Sequence, residues 1–114
     1  MKKLLNKKVA MVLTTFVMLT QPVFGQTAFG NFDCGQWIKR TDSAMSKNTT
    51  EAWLAGYMSG LNLMYVVYSK RDDVLKRLNS FDQVVLSMDN YCKKNPLSIV
   101  SIGAETLFAD LATK

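Results

Sequence analysis

Between Glu51 and Lys70 the chain carries no charged residue, and Ala52–Tyr68 is the most hydrophobic stretch of the body of the sequence. Trp53, Tyr57, Leu61, Met64 and Tyr68 recur there at three- and four-residue steps, which is the period of a helix. With Met58, Leu63, Val66 and Val67 added, the helix is apolar nearly all round, and such a helix belongs in the middle of a core. Ala52, Gly56 and Gly60 form a strip of small residues at i, i+4 and i+8. A glycine inside a helix costs about 1 kcal/mol relative to alanine, so the strip predicts that another helix passes close to it. A dimer or partner surface is the alternative. Seventeen positions broken by two glycines, Ser59 and Asn62 make a poor membrane span.

The rest of the chain is short. Of 114 residues, the first 25 read as a secretory signal peptide. Lys2, Lys3, Lys7 and Lys8 form a basic start, Val9–Leu19 an uncharged run, and Gln21-Pro22 a break. Val23 and Gly25 then stand at the −3 and −1 places of a cleavage site, so residues 26–114 form the mature domain. The net charge of +5 suggests a nucleic-acid binder until the leader is subtracted. Ten basic residues then face nine acids, a side-chain charge of +1, and no basic stripe with interleaved aromatics remains.

An exported domain of 89 residues has a small core and often carries a covalent staple. The two cysteines, Cys34 and Cys92, read as one structural disulfide in an oxidising compartment. Their spacing is not C-x-x-C, and no further soft ligand stands near them, which sets a redox or metal pair aside.

The remaining signals are helical. Asp33, with Gln36 three residues on, forms a capping box for a helix from Cys34 that carries Trp37, Ile38 and Thr41 inward. Ser46-Lys47-Asn48 reads as a loop, and Thr49 or Thr50 as the next N-cap, with Glu51 in the first turn. Val74, Leu75 and Leu78 suggest a short helix ending near Asn79. Ser80-x-x-Gln83 reads as a capping box, and Val84, Val85, Met88, Tyr91 and Cys92 as the buried stripe behind it. Asn95-Pro96 stops that helix. Pro96 or Ser98 opens the last one, whose apolar face is Val100, Ala104, Leu107, Phe108 and Leu111. The expected fold is all-α: one bundle of four main helices plus a short one, stapled by one disulfide.

Little in this chain supports catalysis. It has no His, so it lacks the Ser-His-Asp and Cys-His nucleophile systems. Asp82 and Asp89 share a helix face about 10.5 Å apart along the axis, beyond the range of paired glycosidase carboxylates. Ser59 lacks the glycine spacing and the preceding strand of a nucleophile elbow. No phosphate loop, calcium loop or cofactor motif is visible. The aromatic-rich second helix instead points to a protein partner, a client or a second protomer, with Tyr57, Tyr65, Tyr68, Asp72 and Asp73 as candidate contacts.

Three short patterns complete the reading. They are Asp33-Cys34 opening the first helix, Trp53-Leu54-x-Gly56-Tyr57-x-x-Gly60 in the second, and Asn90-Tyr91-Cys92-x-x-Asn95-Pro96 before the terminal helix. Together they resemble the HdeA-like small periplasmic helical proteins, over residues 33–111. They are also similar to the Rap/Tai-type immunity proteins of type VI secretion. The first resemblance implies acid-stress chaperoning and the second neutralisation of a secreted effector. Both imply binding rather than catalysis, in the periplasm and without a cofactor; an accessory role in an envelope complex fits the same surface.

Overall fold

The computed structural model describes residues 28–114, so the leader and its cleavage site lie outside the described residues. Among the described residues four α-helices follow one another: α1 (Cys34–Ile38), α2 (Ala44–Ser69), α3 (Phe81–Lys94) and α4 (Val100–Ala112). Two 3-10 turns, Lys39–Asp42 and Val74–Arg77, join them. Among the described residues there is no strand, only an isolated bridge between Asp33 and Ile99. The fold is the expected all-α bundle, and Cys34 and Cys92 are disulfide-bonded.

The start of α1 is determined locally. Asp33 Oδ1 accepts the Gln36 N–H at 2.7 Å, and Gln36 Oε1 accepts the Asp33 N–H at 3.0 Å, which is the capping box. The start of α4 has no side-chain cap of its own. Its first amides are satisfied from a distance: Val100 N–H donates to Phe32 O at 2.8 Å, and Ser101 N–H to Asn31 Oδ1 at 3.2 Å. In return, Cys34 N–H donates to Ser98 O at 2.9 Å. The last helix therefore opens at Val100 rather than at Pro96 or Ser98.

Other expected boundaries move as well. Residues 46–48 are not a loop, and neither Thr49 nor Thr50 is a cap. Ser43 caps α2, its Oγ accepting the Ser46 N–H at 3.0 Å. Thr50 is buried in mid-helix and donates its hydroxyl to Ser46 O at 2.8 Å. A Ser/Asn/Thr cluster suits a cap or a helix equally, and here Lys47 pairs with Glu51 one turn on at 2.9 Å. The Ser80 capping box does not form: Ser80 makes no side-chain cap bond, and Gln83 Oε1 takes the N–H of Asn79, the residue before the cap, at 2.7 Å. The short helix after Asp73 is one 3-10 turn, opened by Asp73 Oδ1 accepting the Leu75 N–H at 3.0 Å.

Trp37, Leu54, Met58, Met88, Val84, Val100 and Ala104 make the centre of the core, with Phe108 and Leu111 at one end. In α1 Trp37 points inward as expected but Ile38 is half exposed; in the turn that follows, Thr41 is exposed and Arg40 is buried instead.

The small-residue strip also lies elsewhere than expected. Ala52, Gly56 and Gly60 are exposed, and a Cβ on either glycine would meet nothing within 4 Å. The close approach between helices is at Gly103, where a Cβ would lie 2.6 Å from Tyr91 Cδ1 and 2.8 Å from Met88 Sδ. Two expectations follow for urea unfolding. Gly103→Ala is expected to lose about 1–3 kcal/mol through overpacking between α3 and α4. Gly60→Ala is expected to gain up to about 1 kcal/mol through helix propensity alone.

Candidate functional site

Two features of the surface and its support stand out: a buried ionic centre beneath the N-terminal half of α2, and a long uncharged face on its outer side.

The ionic centre is built on Arg40, which the turn after α1 directs inward. Its Nε lies 3.1 Å from Glu51 Oε1, and its Nη1 lies 2.9 Å from Asp89 Oδ1 and 3.1 Å from the Trp37 carbonyl, to which it donates. The guanidinium sits 4.1 Å over the Trp37 ring, and Trp37 Nε1 donates to the same Asp89 oxygen at 2.8 Å. One cation thereby joins α1, α2 and α3. Burial pushes the Glu51 carboxyl up, but the hydrogen bonds and charges of Lys47 and Arg40 outweigh it and hold Glu51 below the usual carboxylate range. Asp89 is thus a structural partner, and Asp82 stands apart from it, exposed in the first turn of α3. Sequence reasoning missed this centre because Arg40 and Asp89 lie far apart in the chain; only the Lys47–Glu51 spacing could have flagged it.

The outer face of α2 runs through Met45, Thr49, Ala52, Gly56, Gly60, Leu63 and Val67, all exposed. It spans 22 residue steps, about 33 Å. Met45 is 79% exposed, Leu63 63% and Val67 57%, high values for large apolar side chains. Beside it, between α2 and the start of α3, lies an apolar groove of about 260 Å³ lined by Ala55, Met58, Ser59, Leu78 and Phe81. Ser59 itself donates its hydroxyl to Ala55 O at 2.7 Å, as helical serines do.

The candidate contact residues do not gather on this face. Tyr57 is half-buried, stacked on Trp53 with centroids 5.0 Å apart, and its hydroxyl donates to Glu105 at 2.5 Å. Burial and then Glu105 push that phenol up to about 12. Tyr65 packs edge-on against Phe108 at 5.6 Å. Tyr68 is exposed, beyond the end of the core. Asp72 is exposed, whereas Asp73 is engaged by Leu75 N–H and by Asn62 Nδ2. Tyr57 and Tyr65 therefore sit on the inner side of α2 and Tyr68 past the end of the core, while the uncovered surface of α2 includes the small-residue strip with Leu63 and Val67 continuing it.

Among the described residues, no three His, Cys, Asp or Glu side chains gather as a metal site, and no helix is long and apolar enough to cross a membrane. No protein-family model, curated protein or solved structure matches the chain.

The ionic centre has a pH signature. A carboxyl whose folded pKa is lowered contributes stability above its unfolded value, near 4.3, and loses it as the pH falls through the folded value. Glu51→Gln is therefore expected to cost about 1–3 kcal/mol at pH 7. The gap to the parent should close as the pH falls below about 4, when followed by urea unfolding at a series of pH values.

Proposed function

We propose that this chain is a non-enzymatic periplasmic binding protein of HdeA-like kind, which holds partly unfolded client proteins under acid stress. The observation that carries the reading is the outer face of α2: an exposed apolar strip about 33 Å long with no charge between Glu51 and Lys70. A surface without charges is indifferent to the charge of its client, which suits binding to many acid-denatured chains. The disulfide is compatible with an oxidising compartment outside the cytoplasm.

Acid acts on this protein in two ways. Below about pH 3 most of its nine carboxylates take up protons, and the side-chain charge of residues 26–114 climbs from +1 towards +10. Glu51, held below the usual carboxylate range, gives up its charge only at the acid end of that fall, and the buried Arg40 then loses this partner. Self-repulsion then loosens the helices while the Cys34–Cys92 bridge limits how far they separate. Effector neutralisation is the weaker reading, since Asp73 already serves its own turn.

The test is aggregation of an acid-denatured client, followed by light scattering at pH 2–3 and at pH 7. The parent protein is expected to suppress aggregation only in acid. A Leu63→Lys, Val67→Lys variant, charged at both assay pH values, is expected to lose most of that suppression. Full activity in this variant, or none in the parent, overturns the reading. Recovery of one tightly bound periplasmic protein at neutral pH would favour effector neutralisation instead.

A further inference from the structure

We propose that the end of the bundle where α2 and α4 finish holds an oxyanion of the phosphate type. The site is an open cavity of about 270 Å³, lined by Tyr65, Lys70, Arg71, Asp72, Arg77 and Ala112. It stands apart from the outer face of α2 and does not rest on the chaperone reading.

Positive charge gathers here out of proportion to the chain. Of the ten bases in residues 26–114, four fall within residues 70–77: Lys70, Arg71, Lys76 and Arg77. Three of them line the cavity, against one lining carboxylate, Asp72. The ion pairs among the described residues join Arg40 and Lys47 to acids, and none involves Lys70, Arg71 or Arg77. The C-termini of α2 and α4 also meet the cavity, each with about half a negative charge, and they account for part of this cationic content. Arg77 answers one of them directly, donating from Nη1 to Leu111 O. Set against both termini and Asp72, the three lining cations still leave about one positive charge. Lys76 and Asp73 flank the cavity without lining it and offset each other.

The backbone adds a second observation. Lys70 has φ 49°, and it is the one non-glycine residue at positive φ among the described residues. Its N–H closes α2 on Val66 O at 3.0 Å, a place that glycine fills without strain. Lysine there bears the strain and brings an ammonium to the cavity.

The donor set fits phosphate oxygens. Arginine presents five N–H donors in a planar fork, of which Arg77 commits one to Leu111 O. Arg71 adds a second fork, Lys70 an ammonium and Tyr65 a neutral hydroxyl. Forks of this kind pair with two oxygens of one phosphate at once. The three cations are exposed, so affinity for free phosphate is on the order of millimolar and falls with salt. Phosphate reaches the cavity either as the free ion or as the headgroup of an anionic lipid.

NMR titration with inorganic phosphate at pH 7 and constant ionic strength should give saturating amide shifts centred on residues 70–77 and Ala112. Arg71→Gln should weaken binding about two- to fivefold. Lys70→Gly should weaken it likewise while raising the urea midpoint, because it relieves the left-handed backbone. A lysine that served only the fold would not divide the two readouts in this way. Lys93→Gln, which alters a base outside the cavity, should bind as the parent does. Co-sedimentation with phosphatidylglycerol vesicles, against phosphatidylcholine vesicles, reads the lipid source with the same variants. Saturating shifts with phosphate assign the free ion. Vesicle binding that Arg71→Gln and Lys70→Gly weaken, without a response to phosphate, assigns the headgroup. A parent that responds to neither probe, shifts spread evenly over the surface bases, or Arg71→Gln and Lys70→Gly binding as the parent does overturns the proposal.

Discussion

Residues 31–34 meet residues 98–101 in a compact set of hydrogen bonds beside the Cys34–Cys92 bridge, and the placement of the helices depends on that junction. It supplies the cap that α4 lacks, ties α1 to the C-terminal end of α3, and fixes where Trp37 and Arg40 enter the interior. The bridge closes a separation of 58 residues, for which the chain-entropy model gives roughly 4 kcal/mol at most. In a domain this small, that is a large share of a typical total stability of about 5–15 kcal/mol.

The second constraint is one of length. Helix α2 has 26 residues, whereas α3 and α4 have 14 and 13. At 1.5 Å per residue, two helices of about 20 Å cannot surround one of about 39 Å. They cover Leu54, Met58, Leu61 and Tyr65, and leave the opposite side open. The exposed apolar face is thus a consequence of how much chain there is to pack. Its lack of charge makes it the feature on which the proposed binding role rests.

Much of the fold was legible locally. The Asp33 box, the stop at Asn95-Pro96 and the stripe Val84, Met88, Cys92 each follow from chemistry within one turn or from helical period. The start of α2 was harder, because Ser43, Thr49 and Thr50 are all competent caps and the choice depends on the neighbours of Lys47 and Glu51. The candidate binding surface was legible as a pattern but not as a direction. Ala52, Gly56 and Gly60 form a strip whether it faces a helix or water, while Gly103, which does sit at a close contact, stands alone and carries no pattern.

By itself the sequence determined an all-α chain, the identity of its main helices, its candidate disulfide and the absence of charge from the middle of α2, since these depend on residue type and short spacing. Only the tertiary structure decided which side of α2 is covered, that Arg40 is buried between Glu51 and Asp89, and that the amides of Val100 and Ser101 find acceptors at Phe32 and Asn31. Those outcomes depend on groups up to 70 residues apart meeting in space, and no local pattern encodes such a meeting.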